Sequence, residues 1–180
     1  MSTNTDLATL NTLITEETAA RGKGGSRPLG KTISTGFWSI QANEELEVND
    51  KYLLVYLITN RYTNLLGLYE MPSVRQIAFE TGLSVSQVKE SLESLQKNRI
   101  IELSATTNEV LLYGWLKYGV NGGGGSVCQR LLADADAVKD TLLIQMLLRH
   151  CDERFNRYSP TIRVFLALTE ERLREQGVIK

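Results

Sequence analysis

Between residues 72 and 98 the sequence encodes two helices with almost nothing between them, and few folds accommodate that arrangement. Pro72 stands where a first helical turn tolerates proline, and Val74, Ile77 and Ala78 set one apolar face on a helix running to about Thr81. Gly82 and Leu83 follow at once, then Ser84-Val85-Ser86-Gln87, in which Ser84 and Gln87 have the spacing of a capping box. The second helix therefore starts at Ser84, buries Val85, Val88, Leu92 and Leu95, and runs to about Asn98. Two helices joined by so short a glycine-containing turn make a helix-turn-helix.

The flanking sequence extends the motif into a domain. Residues 100 to 103 and 109 to 113 are two β-type runs joined by the polar stretch Ser104-Ala105-Thr106-Thr107-Asn108, which predicts a hairpin, the wing, directly after the second helix. Upstream, residues 45 to 60 read as a helix with the apolar face Leu46, Tyr52, Leu53, Tyr56 and Leu57, its main body capped by Asn49. A loop through Gly67 leads into a short strand over residues 68 to 71, and Phe37-Trp38-Ser39-Ile40 reads as an extended piece.

Outside this region the chain divides by composition. Leu7, Leu10, Leu13 and Ile14 mark a short amphipathic helix, and the following RGKGGSRPLG is a basic, glycine-rich arm. Asn121-Gly122-Gly123-Gly124-Gly125-Ser126 has the composition of a flexible linker. From Val127 to Leu147 apolar residues keep helical phase for about six turns, and Pro160 opens another helix bearing Ile162, Phe165, Leu166, Leu168 and Leu173. The organisation expected is an N-terminal helix and arm over 1–35, a winged helix-turn-helix over 36–119, a linker over 120–126 and a helical hairpin over 127–180. The class is mainly α with a small β-hairpin, α+β. Fifty residues seldom hold a core alone, so the hairpin must dock on the winged domain or on a second chain.

Composition removes several function classes. The longest apolar run, residues 52 to 59, falls far short of the roughly 20 a membrane span needs, and residues 1 to 6 are polar where a signal peptide would be basic and then apolar, so the cytoplasm is expected. Cys128 and Cys151 have no CxxC spacing or histidine cluster beside them, which reads as two buried thiols rather than a disulfide or zinc site. His150 is next to Cys151, but neighbours on a helix point about 100° apart and do not form a nucleophile and base. With no paired carboxylates, metal ligands or phosphate-cradling loop, the expectation is a protein that is not an enzyme and carries no cofactor.

The run from Phe37 to Tyr118 resembles the winged-helix N-terminal domain of phage replisome-organiser proteins, in the style of bacterial primosome proteins. The resemblance rests on Phe37-Trp38, the Leu57-Ile58-Thr59-Asn60 helix end, Thr63-Asn64, Gly67-Leu68-Tyr69-Glu70, Ile77-Ala78-Phe79-Glu80-Thr81-Gly82-Leu83 and Trp115-Leu116-Lys117-Tyr118. It implies double-stranded DNA as the partner and a role in replication initiation or its control, in a protein of phage or mobile-element type.

A major-groove helix would present Ser84, Ser86 and Gln87 first, then Lys89 and Glu90, with Gln87 suited to adenine. Ser73 and Ser84 start helices whose free N–H groups suit phosphates, and Arg75, Lys97 and Arg99 are candidates for backbone charge contacts. The wing offers Thr106, Thr107 and Asn108, and the arm offers Arg21, Lys23, Arg27 and Lys31.

Charge argues the other side. The net charge is −1, Glu90 and Glu93 lie on the outer face of the second helix, and the wing has no cation. The alternative is an interaction protein that grips a host protein, such as a replication protein or a CRISPR nuclease, through residues 127–180. The apolar stripes of residues 7–14 and 127–147 would also serve a homodimer, and packing within one chain accounts for the same stripes.

Overall fold

Glu109–Leu112 is buried at all four positions, and everything else in the fold is arranged around that strand. The computed structural model describes residues 31, 33, 37, 46–120, 124–152 and 154–179, apart from the Tyr118 side chain. The chain divides into two units, Met1–Gly30 and Lys31–Lys180, and the described residues all belong to the second. The expected N-terminal helix and Arg21, Lys23 and Arg27 therefore lie outside the described residues.

Seven α-helices are present among the described residues: α1 (Val48–Thr59), α2 (Val74–Thr81), α3 (Val85–Lys97), α4 (Trp115–Tyr118), α5 (Gly125–Asp136), α6 (Thr141–Asp152) and α7 (Pro160–Glu175). Three strands, β1 (Leu68–Glu70), β2 (Ile101–Leu103) and β3 (Glu109–Leu112), form one antiparallel sheet in the order β1-β3-β2. The expected mainly helical α+β class is what the chain adopts.

The sheet works as a middle layer because alternate side chains leave on opposite faces. Tyr69, Val110, Leu112 and Ile101 pack with Leu53, Leu57, Ile77, Val88, Leu92 and Leu95 of α1 to α3. Leu68 and Leu111, paired directly across β1 and β3, instead pack with Leu131, Leu143, Leu147 and Phe165 of the C-terminal helices. Covered on both faces, β3 is a continuous run with no polar-out alternation.

Most of the apolar stripe over residues 127 to 147 packs within the chain, while Leu142 and Met146 stay exposed. It is not one helix of six turns, and the tail is not a hairpin: α5 and α6 are separate, and a 3₁₀ turn over Phe155–Arg157 precedes α7. Asp140 starts α6 by accepting the Leu142 N–H through its side chain, while the distant Glu109 carboxylate accepts the Lys139 and Asp140 N–H groups, both at 2.8 Å. Val138 and Leu142 stay four apart across this break, so periodicity alone does not reveal it. Of the glycine-rich stretch, 121 to 123 lie outside the described residues; Gly124 donates its N–H to Thr161 Oγ1 on α7.

Two expectations for the first helices change. Asn49 lies inside α1 rather than capping it, and Glu47 at the cap makes no side-chain bond. The buried face of α1 is Asp50, Leu53, Leu54 and Leu57, with Tyr52 turned outward and its hydroxyl on the Thr81 carbonyl. At the far end, buried Asn60 bonds Leu57 O and Tyr69 OH through Nδ2 and accepts Tyr62 N and Thr63 N through Oδ1, closing the helix with every amide position used.

The loop after α1 is fixed from two sides. Asp134 Oδ2 on α5 accepts the N–H groups of Leu65 and Leu66, and Trp115 Nε1 donates to Leu65 O. Gly67 adopts a left-handed φ of 74°, and a Cβ there would stand 2.3 Å from Trp115 Cδ1. Gly119 meets the other side of the same indole, so Trp115 fills a slot that two glycines leave open. Cys128 and Cys151 are both buried and unbridged, as expected, and burial pushes the Cys151 thiol up.

Candidate nucleic-acid interface

Helix α2 ends where Gly82 takes a left-handed φ of 75°, and α3 begins three residues on. Ser84 Oγ accepts the Gln87 N–H and Gln87 Oε1 accepts the Ser84 N–H at 2.8 Å, so the capping box is complete. Ser73 caps α2 in the simpler way, accepting the Gln76 N–H. Val88, Ser91, Leu92 and Leu95 fix the inner face of α3; Val85, expected to be buried, sits one residue past the cap and is exposed.

The geometry leaves a defined solvent face. Arg75 on α2 and Ser86, Lys89, Glu90, Glu93 and Lys97 on α3 are exposed. Arg75, Lys89 and Lys97 have no ion pair among the described residues. Ser86 Oγ donates to Glu90 Oε1 at 2.8 Å, one turn away, which occupies one oxygen of that carboxylate.

Several residues singled out by sequence turn out to be engaged elsewhere. Gln87 uses its amide oxygen in the capping box, so a bidentate contact to adenine, which needs that oxygen and the amide nitrogen together, competes with half of the cap. Lys31 donates its ammonium to Asn60 O at the end of α1, and burial lowers its pKa. It anchors the chain to a helix C-terminus, where a cation is favoured.

The hairpin loop is also committed. Ser104 Oγ accepts the Thr106 and Thr107 N–H groups and donates to Asp140 Oδ2, while Thr107 Oγ1 donates to Glu109 Oε2. Asn108 O accepts the Met71 N–H. Thr106 and Asn108 keep exposed side chains; Thr107 does not. Lys139 pairs with Glu70 at 2.7 Å beside this loop, which raises the lysine pKa through that hydrogen bond.

Sequence reasoning missed a polar surface chain between α1 and α2. Tyr56 OH donates to Glu80 Oε2 at 2.5 Å, and Gln76 Nε2 donates to Glu80 Oε1 and Tyr62 OH. The Arg61 guanidinium bonds Tyr62 OH and lies 5.0 Å from its ring centre. The Tyr56 and Gln76 bonds hold the Glu80 carboxyl below the usual range, while burial pushes Tyr56 up. Beside this chain Phe79 is 89% exposed. The signal for it was its phase: Phe79 falls about 100° from Ala78 on the helix, off the Val74–Ile77–Ala78 face.

Arg99 has a separate peculiarity. It is the one non-glycine residue with a positive φ, 54°, among the described residues. Its N–H bonds Gln96 O and the next N–H, of Ile100, bonds Leu95 O. This is the glycine position of a helix C-terminal motif, taken by an arginine.

Comparison of the chain with family models, curated proteins and solved structures finds no match.

Proposed function

We propose that α2, its three-residue turn and α3, followed by the β2–β3 hairpin, act as a winged helix-turn-helix that binds duplex DNA, in a protein of phage or mobile-element type serving replication initiation or its control. The observation that carries this reading is the solvent face of α3. Its start is fixed by a complete capping box, its inner face is locked in the core, and Lys89 and Lys97, like Arg75 on α2, are exposed and without an ion pair among the described residues. Such a helix is rigid enough to hold side chains against base edges.

In this reading Lys89 reads guanine, and the Ser86–Glu90 pair accepts a cytosine amino hydrogen through the free oxygen of Glu90. Arg75, Lys97 and Arg99 neutralise phosphates, joined by N–H groups of the first turns of α2 and α3 that the Ser73 and Ser84 hydroxyls leave open. The hairpin, pinned to Asp140, contributes Thr106 and Asn108 only. Base readout therefore falls on α3 and not on the wing.

Binding of a labelled duplex from the flanks of the protein's own gene, followed by fluorescence anisotropy over a salt series, tests the reading. Three neutralised phosphates give a log–log salt slope of about −2.7, since each contributes about 0.9. Absence of binding at low salt overturns it.

One observation favours a second reading. Phe79 is a large apolar side chain held almost wholly in solvent on α2, the kind of anchor a protein partner buries. In that reading the same surface grips a host protein, and Phe79→Ser abolishes the contact while leaving any DNA affinity in place.

A further inference from the structure

We propose that a second cationic surface, formed by Arg99 with Arg149, Arg154 and Arg157 at the α6–α7 corner, binds the phosphate backbone of the same duplex. This rests on the DNA-binding reading above and extends its footprint beyond α3.

The four arginines come from distant parts of the sequence, and the segments that carry them are linked through Tyr113 and His150. Tyr113 leaves the end of β3 with its N–H on Ile100 O, the residue after Arg99. Its ring lies 4.8 Å from that of His150 near the end of α6. Arg154 Nη1 then donates to His150 O at 3.2 Å. Arg149 and Arg157 flank this point, both exposed and both without an ion pair among the described residues.

Glu102 is occupied by Gln96 Nε2 at 2.8 Å and Tyr113 OH at 3.4 Å, and Asp152 is the exposed carboxylate among the described residues of the corner. Every cation named is arginine, whose planar fork holds a phosphate through two hydrogen bonds where lysine offers a point charge. In a chain of net charge −1 such a concentration is local.

Arg99 supplies an independent reason to assign the corner a task. A left-handed backbone costs a non-glycine residue roughly 1 to 2 kcal/mol, and glycine would fit that position without it. Retaining the arginine is explained if the side chain binds something. The thirteen residues of α3 span about 20 Å at roughly 1.5 Å each, so a duplex touching Ser86 and the corner together must extend several base pairs past the α3 site.

The test uses the full chain and two labelled duplexes of one sequence, about one and about three helical turns long (a turn is roughly 10 base pairs). The expected result is that R149A/R157A, which alters two exposed side chains, binds the longer duplex about tenfold or more weakly, reduces the steepness of its salt slope by about 1.8, and leaves the shorter duplex unaffected. Wild-type affinity and slope in R149A/R157A, with binding lost in R75A/K89A, overturn the corner and leave the α3 reading standing. Equal loss on both duplexes also overturns a separate surface. If the wild-type chain binds neither duplex, the DNA-binding reading itself falls.

Discussion

The Glu109 carboxylate and the Asp140 backbone nitrogen meet at 2.8 Å across 31 residues of sequence, and this contact joins the hairpin to the C-terminal helices. Glu109 is 3% exposed and also accepts the Lys139 N–H, so its removal strands two backbone donors. Glu109→Ala is expected to cost about 2 to 4 kcal/mol, seen as a drop in melting temperature of roughly 5 to 15 °C; Glu109→Gln, which keeps one acceptor oxygen, is expected to lose about half as much. An unchanged melting temperature in Glu109→Ala would contradict the clamp.

Two glycines with nearly the same φ separate backbone strain from crowding. Gly67 and Gly82 have φ of 74° and 75°, but a Cβ at Gly67 strikes Trp115 while one at Gly82 has nothing within 4 Å. Thermal unfolding of Gly82→Ala should show a loss of about 1 kcal/mol, the left-handed cost alone, and of Gly67→Ala a loss above about 3 kcal/mol. Similar losses in both would refute the indole slot.

Those contacts mark the division between what sequence reveals and what it does not. The capping box at Ser84, the end of α2 before Gly82, the hairpin and Pro160 at the start of α7 are local signals, written within a few residues, and all are where the sequence puts them. The break between α5 and α6 is not local: it depends on Glu109 reaching the N–H groups of Lys139 and Asp140, while the apolar phase runs on across it. Gln87 shows the same limit at the candidate site. Its residue type suits adenine, yet its spacing from Ser84 already assigned it to the cap, and the two uses compete for one oxygen.

Gln87→Ala should accordingly act on stability and not on base preference. Loss of half the capping box is expected to cost about 1 kcal/mol in a denaturant melt. Selection of bound duplexes from a random pool should return the wild-type sequence; a change confined to adenine positions would restore Gln87 as a reader.

Tyr113 gives the corner a pH signature. Burial, with the Glu102 carboxylate as a second cause, pushes its phenol from 10.0 up to about 12. The folded state therefore holds the proton more tightly than the unfolded state, and the associated stability is fully present below pH 10 and is lost as pH rises toward 12. Denaturant melts across that window should show a falling stability that is flatter in Tyr113→Phe; identical slopes would place Tyr113 in solvent.

Phe79 carries no folding role that the structure reveals. Phe79→Ser should change stability by less than about 0.5 kcal/mol, as surface substitutions do. A larger loss would mean that the ring is packed in solution, and the protein-docking reading would lose its anchor.

The most direct test of the central claim is residue-level mapping of duplex binding by NMR on isotope-labelled protein, titrated with DNA from the flanks of its own gene. The account predicts that the largest amide shifts fall on Arg75, Ser86, Lys89, Glu90 and Lys97, and that those of Thr106 and Asn108 are small. Shifts absent throughout α2 and α3 at saturating duplex, or confined to the hairpin loop, would contradict it.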